Sequence, residues 1–188
     1  YYSFTGGKLE MAAIKYIDLF CGIGGFRHAL DSVNTRCVFS SDIDPDARLS
    51  YAQNWGEEPV GDIAQIEAQV IPEHDVLCGG FPCQPFSISG NQAGFEDARG
   101  TLLHEILRIA RYHQPRVLFL ENVKNFLGHA EGKTLRTTLM LLNRAGYHVH
   151  YSLLNASNYG VAQKRERVYF VAFRKDLGIT TFRFPEPT

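Results

Sequence analysis

The chain has 188 residues, of which 45% are hydrophobic and 21% are charged, the balance of an ordinary globular domain. Its 19 basic and 20 acidic residues give a net charge of -1. Because basic side chains supply most non-specific affinity for nucleic acid, a DNA or RNA partner would have to be held mainly by residues outside this chain. Four cysteines without a C-x-x-C pair argue against a disulfide scaffold, and the lack of an apolar run of ~20 residues argues against a membrane protein.

Strand-like and helix-like segments alternate from residue 15 onward. Residues 1–10 show no helical or strand period and precede Met11, so we interpret residues 1–14 as a leader and residues 15–188 as one domain. The predicted strands are short apolar segments at residues 15–20, 36–41, 74–78, 117–120, 148–154 and 167–173. The predicted helices lie at residues 26–33, 45–55, 101–113 and 134–145. Repeated βα units of this kind predict an α/β fold, with a mainly parallel sheet and helices on both faces.

A glycine-rich segment, DLFCGIGGF starting at Asp18, connects the first predicted strand to the first helix. Ligands of open α/β sheets bind beyond the carboxyl ends of the strands, and Gly22, Gly24 and Gly25 allow a sharp turn and close approach of a ligand. A tight turn with packing glycines explains the segment equally well. The G-x-G-G spacing differs from the G-x-G-x-x-G of dinucleotide folds, which disfavours a nicotinamide-dependent oxidoreductase.

Two further acidic residues are predicted at the same edge of the sheet. Asp42 ends the second strand, where a carboxylate can accept hydrogen bonds from a ribose. Asp62 follows the next βα unit, in a G-D-I segment. With Asp18, these acids could accept hydrogen bonds from a ribose, an adenine amino group and an α-ammonium group, all of which S-adenosylmethionine contains. They favour a cationic, unphosphorylated cofactor.

The segment at residues 79–100 has no helical or strand period and is rich in Gly, Pro and Ser, which is typical of functional loops. It contains Cys83 between Pro82 and Pro85, which stiffen the chain and favour a thiol nucleophile. The other three cysteines are expected to be buried structural residues. A zinc site of the cytosine deaminase type is excluded, because the second cysteine of P-C-x-x-C and an upstream H-x-E are absent. We therefore expect no metal.

Charged residues also mark the last strands. Glu121 emerges from the apolar strand at residues 117–120, where a carboxylate is costly unless it is paired or functional. In the segment QKRER, Arg165 and Arg167 share one face of a strand while Glu166 points away. A structural ion pair of Glu121 with either arginine, or a solvated basic edge, explains these residues as well as a catalytic role does.

Taken in chain order, the motifs DLFCGIGGF, GDI, GFPCQPFS, ENV and QKRER resemble those of DNA cytosine-C5 methyltransferases, particularly the small bacterial restriction-modification enzymes. The resemblance extends from residue 15 to about residue 187. It implies a Rossmann-like S-adenosylmethionine-dependent methyltransferase fold and S-adenosyl-L-methionine as the cofactor, with S-adenosyl-L-homocysteine as its product. It also implies double-stranded DNA as the partner, and a cytoplasmic location in a prokaryotic cell.

The resemblance also implies roles for individual residues. Cys83 would be the nucleophile and Glu121 the acid at the base, with Arg165 and Arg167 anchoring the flipped nucleotide and that carboxylate. The implied cofactor-binding residues are Asp18, Phe20, Gly22, Gly24, Gly25, Asp42, Ile43, Asp62, Ile63, Gly80 and Leu102. The implied DNA-binding residues are Gln84, Ser87, Ser89 and Lys164. Ile43 replaces an aromatic residue common in related enzymes, which predicts weaker cofactor binding.

The family continues beyond the QKRER strand into a target-recognition domain and a final segment that returns to the cofactor pocket. We expect a missing C-terminal part or a second chain to supply both. A non-catalytic methyltransferase-like scaffold, kept for binding or regulation, is the alternative hypothesis. Cys83, Glu121 and both arginines favour the enzyme, because a scaffold has no chemical need for all four.

Overall fold

The computed structural model describes residues 2–5, 8–31, 34–81 and 102–188. Its first feature is a hairpin in which β1 (Tyr2–Thr5) pairs antiparallel with β2 (Lys8–Met11), with Thr5 opposite Lys8. The expectation that residues 1–10 have no regular structure is therefore wrong. The signal in the sequence was a Gly-Gly dipeptide between two short segments, which is typical of a two-residue hairpin connection. The interpretation of these residues as a leader stays a prediction.

The remaining described strands form one mixed sheet of six strands, in the order β4-β3-β5-β6-β8-β7. They are β3 (Ile14–Leu19), β4 (Thr35–Ser41), β5 (Val76–Gly80), β6 (Val117–Val123), β7 (Tyr147–Asn155) and β8 (Glu166–Arg174). The pairs β3–β4, β3–β5 and β5–β6 are parallel, whereas β8 is antiparallel to both of its neighbours, β6 and β7. Five of these six strands thus run in the same direction, which confirms the mainly parallel sheet.

Four α-helices connect the strands in the described residues. They are α1 (Gly25–Leu30), α2 (Pro45–Trp55), α3 (Leu102–His113) and α4 (Lys133–Arg144). The bounds of α2 agree with the prediction because the sequence marks both of its ends. Asp44 caps the first turn by accepting hydrogen bonds from the N–H groups of Asp46 and Ala47, and Gly56 ends the helix with φ +74°. None of the described helices is long and apolar enough to cross a membrane.

The two faces of the sheet bury different helices. Alternate strand residues such as Ile17, Leu19 and Leu77 form one core with the apolar faces of α3 and α4. On the opposite face, Tyr16, Cys37 and Cys78 are buried against Phe26 and Leu30 of α1. The hydroxyl group of Tyr51 on α2 lies 3.9 Å from the Cys37 sulfur, which places α2 on this second face too. Helices therefore cover both faces, as predicted.

The central strands are longer or shifted compared with the prediction. β5 includes Gly79 and Gly80, which pair with Leu120 and Glu121 of β6. β6 continues to Val123, which lies opposite Arg167 of β8. A central strand gains hydrogen bonds from two neighbours, so pairing extends it beyond the apolar run that marks it in the sequence. Glu121 consequently belongs to the sheet itself, and the direction of its side chain is fixed by its neighbours.

Candidate active and cofactor-binding site

The glycine turn between β3 and α1 has several residues in the left-handed backbone region. Gly22 and Gly24 have φ +54° and +94°, where a glycine avoids the steric penalty of a Cβ. Phe20 adopts φ +55° as well, which is uncommon for a bulky residue and is typical of functional sites when the surroundings enforce it. Cys21 anchors the turn to the sheet, because its N–H donates to the Ser41 carbonyl at 3.1 Å.

Asp42 ties the end of β4 to this turn. One oxygen of its carboxylate accepts a hydrogen bond from the Gly22 N–H at 2.7 Å, and the other accepts one from the Asp44 N–H at 2.9 Å. Asp42 remains half-exposed, and a carboxylate can accept further hydrogen bonds. The two predicted cofactor contacts Gly22 and Asp42 are thus brought together, and Ile43 lies beside them with 70% of its surface exposed.

Asp62 reaches the same region through a short extension of the sheet. The Val60 N–H donates to the Ser40 carbonyl, and the Asp42 N–H donates to the Val60 carbonyl. Asp62 then caps a 3₁₀ turn (Ile63–Gln65), accepting a hydrogen bond from the Ala64 N–H at 3.0 Å, and stays half-exposed. The side chain of Ile63 is buried in the main core with 3% exposure, so its contribution to a binding surface is limited to its backbone.

Asp18 occupies a different environment from the other two acids. It is 0% exposed and shares the α1–α2 face of the sheet with Tyr16 and Cys78. Neither of its carboxylate oxygens makes a hydrogen bond within ordinary limits. Burial raises its pKa well above the usual value, opposed by the nearby backbone N–H and guanidinium of Arg27. The sequence placed Asp18 among the cofactor contacts, whereas the structure places its carboxyl group out of reach of solvent.

The second half of the glycine turn packs against α2. A Cβ on Gly24 would overlap the indole nitrogen of Trp55, while one on Gly25 would meet nothing within 4 Å. The Trp55 indole N–H and the Asn54 amide both donate to the Ile23 carbonyl, at 3.3 and 3.4 Å. Gly24 is therefore required by packing as well as by its backbone angle. Sequence reasoning missed Asn54 and Trp55, which lie about thirty residues away along the chain.

The chemical end of the site lies where β5, β6 and β8 meet. Glu121 makes an ion pair of 3.0 Å with Nε of Arg167 and one of 3.4 Å with the guanidinium of Arg165. The Glu121 side chain is 19% exposed, that of Arg167 23% and that of Arg165 47%. Glu166 points away and pairs with Lys124, which confirms the predicted alternation along this strand.

Gly80 lies at the same edge of the sheet as Glu121. A Cβ on Gly80 would lie 3.7 Å from an oxygen of Glu121, so Gly80 is directly adjacent to the ion-paired acid. Leu102 is the first residue of α3 and packs, half-buried, against the main core. Lys164 is exposed. The predicted residues Cys83, Gln84, Ser87 and Ser89 lie outside the described residues.

Asn122 is a buried polar residue that sequence reasoning did not single out. It is 1% exposed, and its side-chain amide donates to the Phe81 carbonyl at 2.7 Å. The E-N-V motif contained the residue, but nothing local in the sequence indicates a partner 41 positions away.

The cysteines of the described residues are buried, as expected of structural residues. Burial raises the thiol pKa of Cys21, Cys37 and Cys78. Within the described part of the chain, no cluster of three or more His, Cys, Asp and Glu residues could hold a metal.

Comparison with known proteins identifies the family. Residues 14–188 match the family model of C-5 cytosine-specific DNA methylase. Type II methyltransferase M.HhaI of Haemophilus parahaemolyticus is 51% identical over 178 residues, which cover 95% of this chain and 54% of that protein. Type II methyltransferase M.HpaII of Haemophilus parainfluenzae is 49% identical over 176 residues, covering 92% and 49%. The chain thus belongs to the C-5 cytosine-specific DNA methylases, and it spans about half the length of these relatives.

Solved structures agree with this assignment. The S. pombe Dnmt2 methyltransferase has a TM-score of 0.69 and 25% sequence identity, over 92% of this chain and 52% of that one. A DNMT2 mutant of Spodoptera frugiperda has a TM-score of 0.73 and 26% identity, over 93% and 54%. The six-stranded sheet and its helices therefore form the S-adenosylmethionine-dependent methyltransferase fold.

Proposed function

We propose that this chain is the catalytic part of a DNA cytosine-C5 methyltransferase, which transfers a methyl group from S-adenosylmethionine to carbon 5 of a flipped-out cytosine in duplex DNA. The observation that carries the proposal is the arrangement around Glu121. This carboxylate lies beside Gly80 and is ion-paired with Arg165 and Arg167. The family and its type II relatives support the same reaction.

Chain connectivity keeps the proposed nucleophile near this carboxylate. Cys83 follows Gly80 by three residues, and three residues of extended chain span at most about 11 Å. Gly80 in turn pairs with Glu121 across β5 and β6. The length of the connecting chain therefore allows a thiol at position 83 to reach a cytosine placed next to Glu121.

The reaction explains why a thiol and a carboxyl group are needed together. Carbon 5 of cytosine is a weak nucleophile, and addition of the Cys83 thiolate to carbon 6 turns the ring into an enamine. In its protonated form, the Glu121 carboxyl group can donate to N3 and so stabilise the negative charge that develops in the ring. Carbon 5 then attacks the sulfonium methyl group, whose bond to sulfur breaks and leaves S-adenosylhomocysteine. The C5 proton leaves to a base, and the bond between C6 and the Cys83 sulfur breaks to regenerate the Cys83 thiolate. None of these atoms is accessible inside a duplex, so the base must be flipped out.

The two arginines suit different tasks in this scheme. Arg167 is the closer and more buried partner of Glu121, at 3.0 Å and 23% side-chain exposure, so it fixes the orientation of the carboxylate. Arg165 is 47% exposed and contacts the same oxygen at 3.4 Å. Its guanidinium can donate both to Glu121 and to the O2 atom of a flipped cytosine, because a guanidinium carries five N–H donors.

The residues around the glycine turn fit S-adenosylmethionine, which when bound supplies an electrophilic methyl group on a sulfonium centre. Gly22 allows close backbone approach, Asp42 retains acceptor capacity for the ribose, and Ile43 is exposed beside it for the adenine face. Asp62 is half-exposed and can accept from the adenine amino group. Calorimetric titration should show that S-adenosylhomocysteine binds in preference to NAD and that Asp42→Ala weakens it. Equal or tighter binding of NAD contradicts this assignment.

We also propose that DNA recognition is supplied by a further part of the protein or by a second chain. The chain has a net charge of -1 and spans about half the length of its relatives. A specific site typically binds 10³–10⁷-fold more tightly than non-specific DNA, and base contacts provide that margin. Gln84, Ser87, Ser89 and Lys164 remain the proposed DNA contacts of this chain. The cytoplasm of a prokaryotic cell, where its DNA lies, is the proposed location.

The decisive experiment is covalent trapping. With the recognition part present, DNA carrying 5-fluorocytosine at the target should become attached to Cys83. A base can remove the proton from C5 of ordinary cytosine but cannot remove fluorine in the same way, so elimination stalls after methyl transfer. Mass spectrometry of the Cys83 peptide detects the adduct, which Cys83→Ala should abolish and Cys37→Ala should leave intact. Methylation of ordinary DNA without an adduct on fluorinated DNA would rule out the covalent route. Cofactor binding with neither reaction would indicate a non-catalytic scaffold.

A further inference from the structure

Arg108 connects helix α3 to the turn that carries Asp62. One nitrogen of its guanidinium donates to the Ile63 carbonyl at 3.0 Å and to the Ile66 carbonyl at 2.8 Å. Both acceptors lie more than forty residues earlier in the chain. The guanidinium thus holds the two ends of the short turn that follows Asp62.

Glu105 keeps Arg108 in this position. One oxygen of its carboxylate accepts a hydrogen bond of 2.8 Å from Nε of Arg108, and the same oxygen lies 2.7 Å from the nitrogen that reaches the turn. The other oxygen of Glu105 lies 3.2 Å from Nδ1 of His104. The side chains of Arg108 and Glu105 are 26% and 13% exposed. Charge-assisted hydrogen bonds between partly buried groups are shorter and stronger than neutral ones.

The turn depends on contacts with the rest of the domain for its shape. A three-residue 3₁₀ helix is too short to be stable alone. Its described restraints include the Asp62 cap, the packing of Ile63 and Ile66 against the main core, the hydrogen bonds from Arg108 and the backbone bonds within the turn. Helix α3 is a rigid frame by contrast, because Leu103, Ile106 and Leu107 are buried in the main core.

We infer that Arg108 is a positioning residue that sets the selectivity of the site for adenine, by fixing the Asp62 turn relative to α3. This inference rests on the proposed function, in which Asp62 accepts from the adenine amino group. A carboxylate distinguishes an amino group from a carbonyl oxygen only if it is held at hydrogen-bonding distance, and the guanidinium holds the turn at that distance. Leu102, a proposed cofactor contact, lies on the same helix two turns earlier, so α3 links two parts of one pocket.

Two ligands that differ at position 6 of the purine, with a proton added at N1 of the second, test this. S-Adenosylhomocysteine carries it, and S-inosylhomocysteine has an oxygen in its place. We expect the unaltered chain to prefer S-adenosylhomocysteine and Arg108→Ala to reduce that preference about tenfold, which corresponds to about 1.4 kcal/mol. The affinity for S-inosylhomocysteine should change less than about twofold, which corresponds to about 0.4 kcal/mol. A general loss of stability would instead weaken the binding of both ligands to the same extent.

Further variants separate the possible outcomes. Arg108→Lys should restore part of the preference, because an ammonium group can donate to the same carbonyls. Arg36→Ala removes an exposed arginine on β4 and should leave the preference unchanged. If Arg108→Ala does not fold, Glu105→Gln provides a second test, because it weakens the ion pair that holds the guanidinium. We expect Glu105→Gln to lose part of the preference for S-adenosylhomocysteine. An unchanged preference in this variant would contradict the inference.

Failure of the inference can be told from failure of the proposed function. If the unaltered chain does not bind S-adenosylhomocysteine, the proposed function is wrong. If it binds and prefers the adenine ligand, but Arg108→Ala keeps the full preference, only the role of Arg108 is wrong. If it binds both ligands equally, Asp62 does not recognise the amino group and the inference is overturned.

Discussion

The side-chain amide of Asn122 donates a hydrogen bond of 2.7 Å to the carbonyl oxygen of Phe81, joining the ends of two neighbouring strands. Asn122 and Phe81 are 1% and 4% exposed. The other end of the amide accepts from the Val123 N–H at 2.9 Å, so the group is held on both sides. Phe81 is followed by Pro82 and Cys83, while Glu121 precedes Asn122. One buried amide therefore links the proposed acid to the start of the segment that contains the proposed nucleophile.

Replacing Asn122 with Asp tests this link. The variant keeps the shape and the acceptor for Val123 but places a carboxyl oxygen opposite the Phe81 carbonyl. An unsatisfied buried polar group costs about 1–3 kcal/mol, so we expect the free energy of unfolding to fall by that amount. A shift of the proposed nucleophile can reduce methyl transfer by up to about 100-fold. Urea unfolding and single-turnover methylation measure the two effects, and Asn125→Asp, at an exposed position on the same segment, should show neither.

Glu121→Gln should remove most of the activity without disturbing the cofactor. The amide keeps the size of the side chain but loses the charge that pairs with Arg165 and Arg167. Loss of a positioned acid–base group lowers rates by about 10²–10⁴-fold, and we expect a decrease in that range with unchanged S-adenosylhomocysteine affinity. Glu166→Gln is the matched control, because Glu166 pairs with Lys124 instead. Comparable activity of the two variants would show that Glu121 is only structural.

Gly24→Ala and Gly22→Ala should separate backbone strain from packing. Both glycines have positive φ, where an alanine costs about 1–2 kcal/mol. Only at Gly24 would the new Cβ also overlap Trp55, so Gly24→Ala should be the more destabilising variant in thermal unfolding. Trp55 is the single tryptophan of the chain. Its fluorescence spectrum should therefore change in Gly24→Ala and stay the same in Gly22→Ala, and equal spectra would contradict the contact.

His74 should make the stability of the chain depend on pH. Burial, assisted by the neighbouring His113 and opposed by Asp75 and the Pro72 carbonyl, lowers the pKa of His74 from 6.5 to about 4. Above pH 6.5 the residue is neutral in both the folded and the unfolded state. As the pH falls from 6.5 towards 4, the unfolded state takes up the proton first, so the free energy of unfolding decreases, by roughly 3 kcal/mol in total.

His74→Asn should flatten that slope. The asparagine amide can donate to the Pro72 carbonyl as Nδ1 of His74 does, at 2.8 Å, but it does not titrate. Denaturant unfolding between pH 4 and pH 7 measures the slope, and the His28→Asn variant serves as control, since it replaces an exposed histidine. An unchanged slope in His74→Asn would assign the pH dependence to other groups.

Local signals in the sequence were sufficient for most of the fold. The bounds of helix α2 were predicted with the help of Pro45 at its first position, and the strands were found from their apolar residues. The ends of β5 and β6 were missed because pairing between neighbouring strands determines them. The hairpin of β1 and β2 was missed although a Gly-Gly dipeptide indicated it.

In the candidate site, the sequence predicted side-chain positions correctly where the two-residue period of a strand fixes the direction of each side chain. The shared face of Arg165 and Arg167 follows from that period, and both contact Glu121. The same two-residue period puts Asp18 on the face of the sheet that Tyr16 shares with α1 and α2, where its side chain is buried. Asn122 and Arg108 could not be recognised, because their partners lie about forty residues away and only the folded chain brings them together.

The position of β8 between β6 and β7 has a consequence for how the chain is made. β7 leaves the ribosome before β8, yet among the described strands it pairs with β8 alone. A nascent chain that ends before Arg165 therefore holds an unpaired strand β7 and a Glu121 without either arginine. When β8 inserts, it gives β7 its neighbour and brings Arg167 to Glu121 in the same event. Completion of the sheet and the pairing of the proposed catalytic acid with Arg167 thus both depend on the same strand, β8.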